Sequence, residues 1–212
     1  MSRSGPAPMK AHSPAESTLE GASGSPGSAS ALPGLEGYPP ALPESASPWS
    51  ATMADLRHVF VDQGPEGQRG ARDLRLRALE LHAEVVGNLF RGSPVRMWVN
   101  GGFLTHKDWR APSDIDVVYF ARPECLERAF SGRAVSLWTL ASVNGSIGSG
   151  NAAPEFNDVD IRPGFGLVDA YIAADTPPMR KYWSRQWSTV KGPDGNIIDG
   201  RRKGFVEVTI ND

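Results

Sequence analysis

The sequence predicts an α/β domain of the α+β kind. It should hold a short mixed sheet, with helices mainly on one face, behind an N-terminal tail. Three observations predict this. Four segments alternate or run apolar over the length of a strand: VRMWVN at 95–100, DIDVVYF at 114–120, GLVDAYIA at 166–173 and KGFVEVTI at 203–210. Stretches of helical period stand between them. Of the first 50 residues, 34 are Gly, Pro, Ala or Ser, a composition with almost nothing to bury. The composition shift divides the chain into a disordered tail, 1–41, and a domain, 42–212, long enough to enclose one core.

The first helix is expected over about 70–90. Leu74, Ala78, Leu81, Val85 and Leu89 recur at steps of four and three and predict the buried face. Arg72, Arg75, Arg77, Glu80 and Glu84 fall on the other sides. Gly92-Ser93-Pro94 ends the helix, and the strand 95–100 follows, with Val95, Met97 and Val99 alternating against Arg96 and Trp98. Gly101-Gly102 and the spacer FLTHKDWRAP lead to the strand at 114–120. A helix is expected over 123–130, opened by Pro123. RAVSLWTLAS reads as strand or short helix, and NGSIGSGNAAPEFND as loop. After the strand at 166–173 comes a proline-opened helix, 177–191, then the turn GPDGN and the last strand.

Composition excludes several classes. No apolar run is long enough to span a bilayer. The N-terminus has no secretory pattern, so the expected location is cytoplasmic. Cys125 is the one cysteine, which excludes an internal disulfide and a cysteine zinc ribbon. The net charge is −2, and beyond the tail positive and negative residues balance, unlike a protein that coats DNA.

The chemistry concentrates in WVNGGFLTHKDWRAPSDIDVVYF, 98–120. Glycines let backbone N–H groups approach phosphate oxygens. Side chains alternate along a strand, so Asp114 and Asp116 share a face, and two neighbouring carboxylates repel unless a cation lies between them. Magnesium takes oxygen ligands and leaves positions for substrate phosphates. Asp169, inside an apolar strand, is the expected third carboxylate, because a lone charge there needs a partner or a metal. Asp160, in the second Asp-x-Asp at 158–160, is the alternative. Three carboxylates around two ions would polarise an attacking hydroxyl and steady a leaving pyrophosphate. Lys107 and Arg110, between the glycines and the acids, could bind a triphosphate.

Other features read as structural. GSIGSG has Asn151 where a phosphate loop needs Lys. His106 reads as a loop histidine within reach of a phosphate, and Cys125 as a half-buried core residue. Trp183 and Trp187, four apart, share a helix face among Arg180, Lys181, Arg185 and Lys191, and read as core more than as a stacking platform.

Gly101-Gly102, the spacer and Asp114-Ile115-Asp116 with its apolar strand resemble the active-site signature of the nucleotidyltransferase superfamily, which includes DNA polymerase beta and antibiotic adenylyltransferases. Trp98, Phe103, Thr105, Lys107, Ser113 through Val118 and Lys203-Gly204 are similar to a smaller nucleotidyltransferase-like family of bacteria and phages, which shows Ser where this chain has Gly102. The resemblance implies a nucleotidyltransferase-like fold and transfer of a nucleoside monophosphate from an NTP, ATP included, to a hydroxyl. The acceptor would be a tRNA or other RNA end, a protein or a small molecule. It implies Asp114, Asp116 and Asp169 as catalytic and metal ligands, Gly101, Gly102 and Lys107 at the nucleotide, and two Mg²⁺ (or Mn²⁺) ions. The second implication is a catalytically silent module of the same fold, with a protein partner in a toxin–antitoxin or phage-related pair.

Overall fold

The computed structural model describes residues 32–147 and 154–210. Most of the tail, and the centre of the glycine-rich loop, lie outside the described residues. The elements are β1 (Trp49–Ser50), α1 (Met53–Arg57), α2 (Arg69–Leu89), β2 (Val95–Asn100), β3 (Ile115–Ala121), β4 (Leu140–Ser146), β5 (Glu155–Ile161), β6 (Val168–Ala174), α3 (Pro177–Trp187), β7 (Thr189–Lys191), β8 (Ile197–Arg202) and β9 (Val206–Ile210).

Five strands form a mixed sheet in the order β1-β9-β2-β3-β6. β9 and β3 run antiparallel to β2, while β1 with β9 and β6 with β3 are parallel pairs. β4–β5 and β7–β8 are separate antiparallel hairpins. The fold is thus the mixed α/β class that the alternating segments predict.

Both faces of the sheet are covered at the centre. On one, Tyr119 meets His82 of α2, with Tyr119 Oη and His82 Nδ1 2.7 Å apart, and Trp138 closes over both rings. On the other, Trp98 packs between Phe120 and Phe205, and the ring contacts continue through Trp187 and Trp183 of α3 to Tyr171. Trp98 is therefore buried on the second face rather than turned outward by alternation. Asp116 lies between Ile115 and Val117 in sequence, so strand parity puts it on this aromatic face, away from α2.

Several sequence expectations need correction. Residues 32–41, assigned to the tail by composition, belong to the fold: Leu32 and Ala41 are buried, and Ala41 bridges Thr105. The buried face of α2 is Leu76, Leu79, Ala83 and Val86 with Arg72 and His82, whereas Leu74, Leu81 and Val85 are exposed. The leucine-rich segment carries two apolar stripes, and periodicity alone does not choose between them. Residues 123–130 coil as a 3₁₀ helix, and 132–137 form another. Of the loop expected at 144–158, residues 144–146 end β4 and 155–158 begin β5, which pair as a hairpin exposed along most of its described length, while 148–153 lie outside the described residues. α3 stops at Trp187 and gives way to β7.

Arg72 is the least expected core residue, fully buried. Its guanidinium donates to the carbonyls of Phe60 at 3.2 Å, Phe103 at 2.9 Å and Thr105 at 2.6 Å, and its Nε to Gln68 Oε1 at 3.3 Å. Burial, with a contribution from Arg75, lowers its pKa to about 10, so it remains a cation at neutral pH. Gln68 donates to the Lys107 carbonyl and Arg75 to the Ser113 carbonyl. The first two turns of α2 thereby hold the spacer between the glycines and the acids at four points. Replacing Arg72 by Met keeps the bulk and strands three carbonyls, a loss of about 3 kcal/mol on the usual scale for buried unsatisfied groups. Urea unfolding of Arg72→Met should show a clearly lower midpoint than wild type with an unchanged slope; an unchanged midpoint would refute the bracing role.

Candidate functional site

β2 ends at Asn100, and its register partner on β3 is Asp116. The register partner of Asp116 on β6 is Asp169. Asn100, Asp116 and Asp169 therefore form a row across three adjacent strands, each about 4.8 Å from the next. Asp114 stands just before β3, and Gly101-Gly102 turns away just after Asn100. All of these line one cavity of about 410 Å³, within the range of about 300–1,000 Å³ typical of small-ligand sites.

The turn requires glycine for two reasons. Gly101 has φ +81°, and a Cβ there would lie 1.8 Å from Asp116 Oδ2. The missing side chain is the space in which the Asp116 carboxylate sits. A Cβ on Gly102 would meet only the flexible end of Lys107, 2.6 Å away at Nζ. A serine at that place is thus accommodated by a shift of Lys107.

The carboxylates have unequal surroundings. Asp169 is buried and accepts from the Thr139 hydroxyl at 2.7 Å and the Tyr171 hydroxyl at 3.2 Å. Burial, then the Asp169 charge, pushes the Tyr171 pKa up to about 12. Asp114 accepts from Arg162 Nη1 at 2.6 Å and from the Ser113 hydroxyl at 3.0 Å. Asp116 has no side-chain hydrogen bond or ion pair among the described residues. Desolvation, then the Asp114 charge, raises its pKa to about 6.

Cations form a further part of the lining. Lys203 is buried, donates from Nζ to the Gly101 carbonyl at 2.7 Å, and has its pKa lowered to about 8 by burial. Burial likewise lowers the pKa of Lys107. Lys107, Arg110 and Lys191 also line the cavity, with Trp109 and Trp187 as its aromatic surfaces.

All six sequence-predicted site residues thus line one cavity: Gly101, Gly102, Lys107, Asp114, Asp116 and Asp169. The alternative acid, Asp160, lies on β5, where it accepts from the Ser142 amide, and it does not line the cavity. His106, half-buried, does not line the cavity; its Nε2 is 2.9 Å from the Val59 carbonyl, and it packs against Phe60. Sequence reasoning gave no role to Arg162 or Asn100. Asn100 donates to the Trp187 carbonyl at 2.9 Å while its Oδ1 is buried without a partner among the described residues. No motif marks either residue; a buried polar residue at a strand end, beside a glycine turn, was the only signal for Asn100.

The donor set is oxygen throughout, which suits Mg²⁺ or Mn²⁺. The open Asp116 carboxylate and the orphaned Asn100 Oδ1 are consistent with a cation at this corner. As the side chains stand, no three His, Cys, Asp or Glu among the described residues form a ready metal cluster. Arg162 stands among the carboxylates: its Nη1 is on Asp114, and its Nε is 4.0 Å from Asp169 Oδ1.

The raised pKa of Asp116 has a consequence for stability. The folded state holds its proton up to about pH 6, while the unfolded chain releases it near the ordinary value of about 3.9. Between those values the folded state binds more protons, so rising pH destabilises it through this group. In metal-free buffer Asp116→Asn should gain stability over wild type as pH rises from 4 to 6.5, measured by urea midpoints. A constant difference across that range would sink the assignment.

No helix among the described residues is long and apolar enough to cross a membrane. Comparison with curated proteins and with solved structures returns no match. Residues 35–209, which include every side chain of the site and most of the domain, match DUF6932, a family of unknown function, and the chain belongs to that family.

Proposed function

We propose that the protein is a metal-dependent nucleotidyltransferase. The observation that carries this reading is the row Asn100–Asp116–Asp169 beside the Gly101-Gly102 turn, in a cavity that Lys107, Arg110 and Lys191 also line. A metal–triphosphate complex has the matching polarity, cation toward the acids and phosphate oxygens toward Lys107, Arg110 and Lys191. Few other small ligands need both sets of side chains.

In this reading Asp114, Asp116 and Asp169 hold Mg²⁺, which when bound would neutralise phosphate charge and acidify the acceptor hydroxyl. Gly101 and Gly102 expose backbone to the β- and γ-phosphates, and Lys203 fixes that turn through the Gly101 carbonyl. Lys107 contacts the same phosphates. Asp169, held by Thr139 and Tyr171, orients the acceptor hydroxyl and takes its proton. The hydroxyl oxygen bonds to the α-phosphorus, and the bond from that phosphorus to the β-bridging oxygen breaks. Pyrophosphate leaves with the electron pair. Positioning and charge neutralisation do most of the work. Trp109, half-buried at the cavity, offers a ring surface for the base. The acceptor is an RNA end, a protein side chain or a small molecule.

One observation favours a second reading. Arg162 on Asp114 could be a permanent substitute for a metal, leaving a silent binding module of the same fold. Incubation with nucleotides labelled at the α-phosphate, Mg²⁺ and candidate acceptors separates the two. Wild type should transfer label, and Asp116→Asn and Asp169→Asn should each lose at least ~10²-fold, the loss typical when charge stabilisation is removed. Nucleotide binding without transfer would favour the silent module; undiminished transfer in both variants would remove these residues from the chemistry.

A further inference from the structure

Arg162 is the first residue after β5, at the root of the β4–β5 hairpin, and it reaches into the cavity from there. Its guanidinium touches Asp114 and faces Asp169, whose side chains are 13% and 10% exposed, while its own is 36% exposed. The cation therefore sits at the mouth and the acids behind it. Its Nε is buried with no hydrogen-bond partner among the described residues. A guanidinium committed to this place would be expected to satisfy that donor, because an unmet buried N–H is costly. The contact to Asp169, at 4.0 Å, is an ion pair without a hydrogen bond.

The support of Arg162 is lightly packed. β4 and β5 pack chiefly on each other and are exposed along most of their length. The hairpin is tied to β6 at its roots, through the Thr139 amide on the Ala170 carbonyl and the Val168 amide on the Pro163 carbonyl. The connection from Arg162 to β6 turns through Gly164 and Gly166, both at positive φ. A guanidinium so mounted can change partner without disturbing the sheet.

Charge dictates when it would. Three carboxylates in one corner need compensation, and Lys203, Lys107 and Arg162 are the cations near them, Arg162 being the one in direct contact with Asp114. A divalent cation placed among the same carboxylates would repel the guanidinium and take over its role. A triphosphate arriving with that cation would bring oxygens suited to the forked guanidinium.

We propose that Arg162 is a displaceable counter-cation: it neutralises Asp114 and Asp169 in the ligand-free chain, and exchanges them for a phosphate of the ligand when a divalent cation enters. This inference rests on the nucleotide-transfer reading and adds a positioning residue to it. Arg162 opposes a bare metal and favours a metal that carries phosphate, so the two ligands are coupled through one side chain. The silent-module alternative has Arg162 fixed.

The test is Mn²⁺ binding to the full chain, followed by the electron paramagnetic resonance of free Mn²⁺, with and without a non-hydrolysable triphosphate analogue. Arg162→Ala should bind Mn²⁺ alone about tenfold more tightly than wild type, an ordinary size for coupling between two ligands. The enhancement of Mn²⁺ affinity by the analogue, present in wild type, should be largely lost. Arg162→Gln removes the charge and keeps a donor for Asp114, so it should reproduce both effects if the alanine variant folds poorly. Equal or weaker Mn²⁺ affinity in the variants, or an intact enhancement, would overturn the inference while leaving the transfer reading standing. No Mn²⁺ binding by wild type or variants, with or without the analogue, would overturn both.

Discussion

Negative charge in a confined corner is the constraint around which the site is built. Parallel pairing sets Asp169 beside Asp116, and Asp114 comes with the same strand. Each carboxylate is kept in place differently. Asp169 has two hydroxyl donors, Asp114 has a guanidinium, and Asp116 has the empty volume over Gly101. That last solution leaves Asp116 without a side-chain partner among the described residues, and desolvation, with the Asp114 charge added to it, holds its proton to about pH 6.

The rest of the fold serves that corner. The aromatic series Trp98–Phe205–Trp187–Trp183–Tyr171 fills the face on which Asp116 opens and ends at the hydroxyl that supports Asp169. α3 turns into β7 at the cavity, so Trp187 both packs the core and lines the site. Lys203, between β8 and β9, brings the far end of the chain onto the Gly101 carbonyl. Residues more than a hundred apart in sequence thus meet at one peptide group.

What the sequence reveals about this arrangement follows from its physics. Alternation showed β2, β3 and most of β6, because a strand with a buried face repeats every two residues. Gly101-Gly102, Asp114 and Asp116 were legible because close backbone approach and paired carboxylates have few other uses. Asp169 was legible as a charge inside an apolar run. Arg162 was not, since its importance comes from a hairpin folding back toward β3. Nor was Arg72: three carbonyl partners brought from two other segments make an arginine a core residue, and nothing local signals it. The choice between the two leucine stripes of α2 was likewise settled by tertiary packing.

The two sides of the cavity differ in stiffness. The spacer carrying Lys107 is bolted to α2 through Arg72, Gln68 and Arg75, whereas Arg162 hangs from a hairpin that leans on little but itself. Such a clamp has one fixed jaw and one soft jaw. Under the transfer reading proposed above, phosphates on the spacer side would meet a mould already cast and would have to match it in shape, while a phosphate taken by Arg162 would meet a surface that yields. Shape selection would then be set by the spacer, and tolerance by the hairpin.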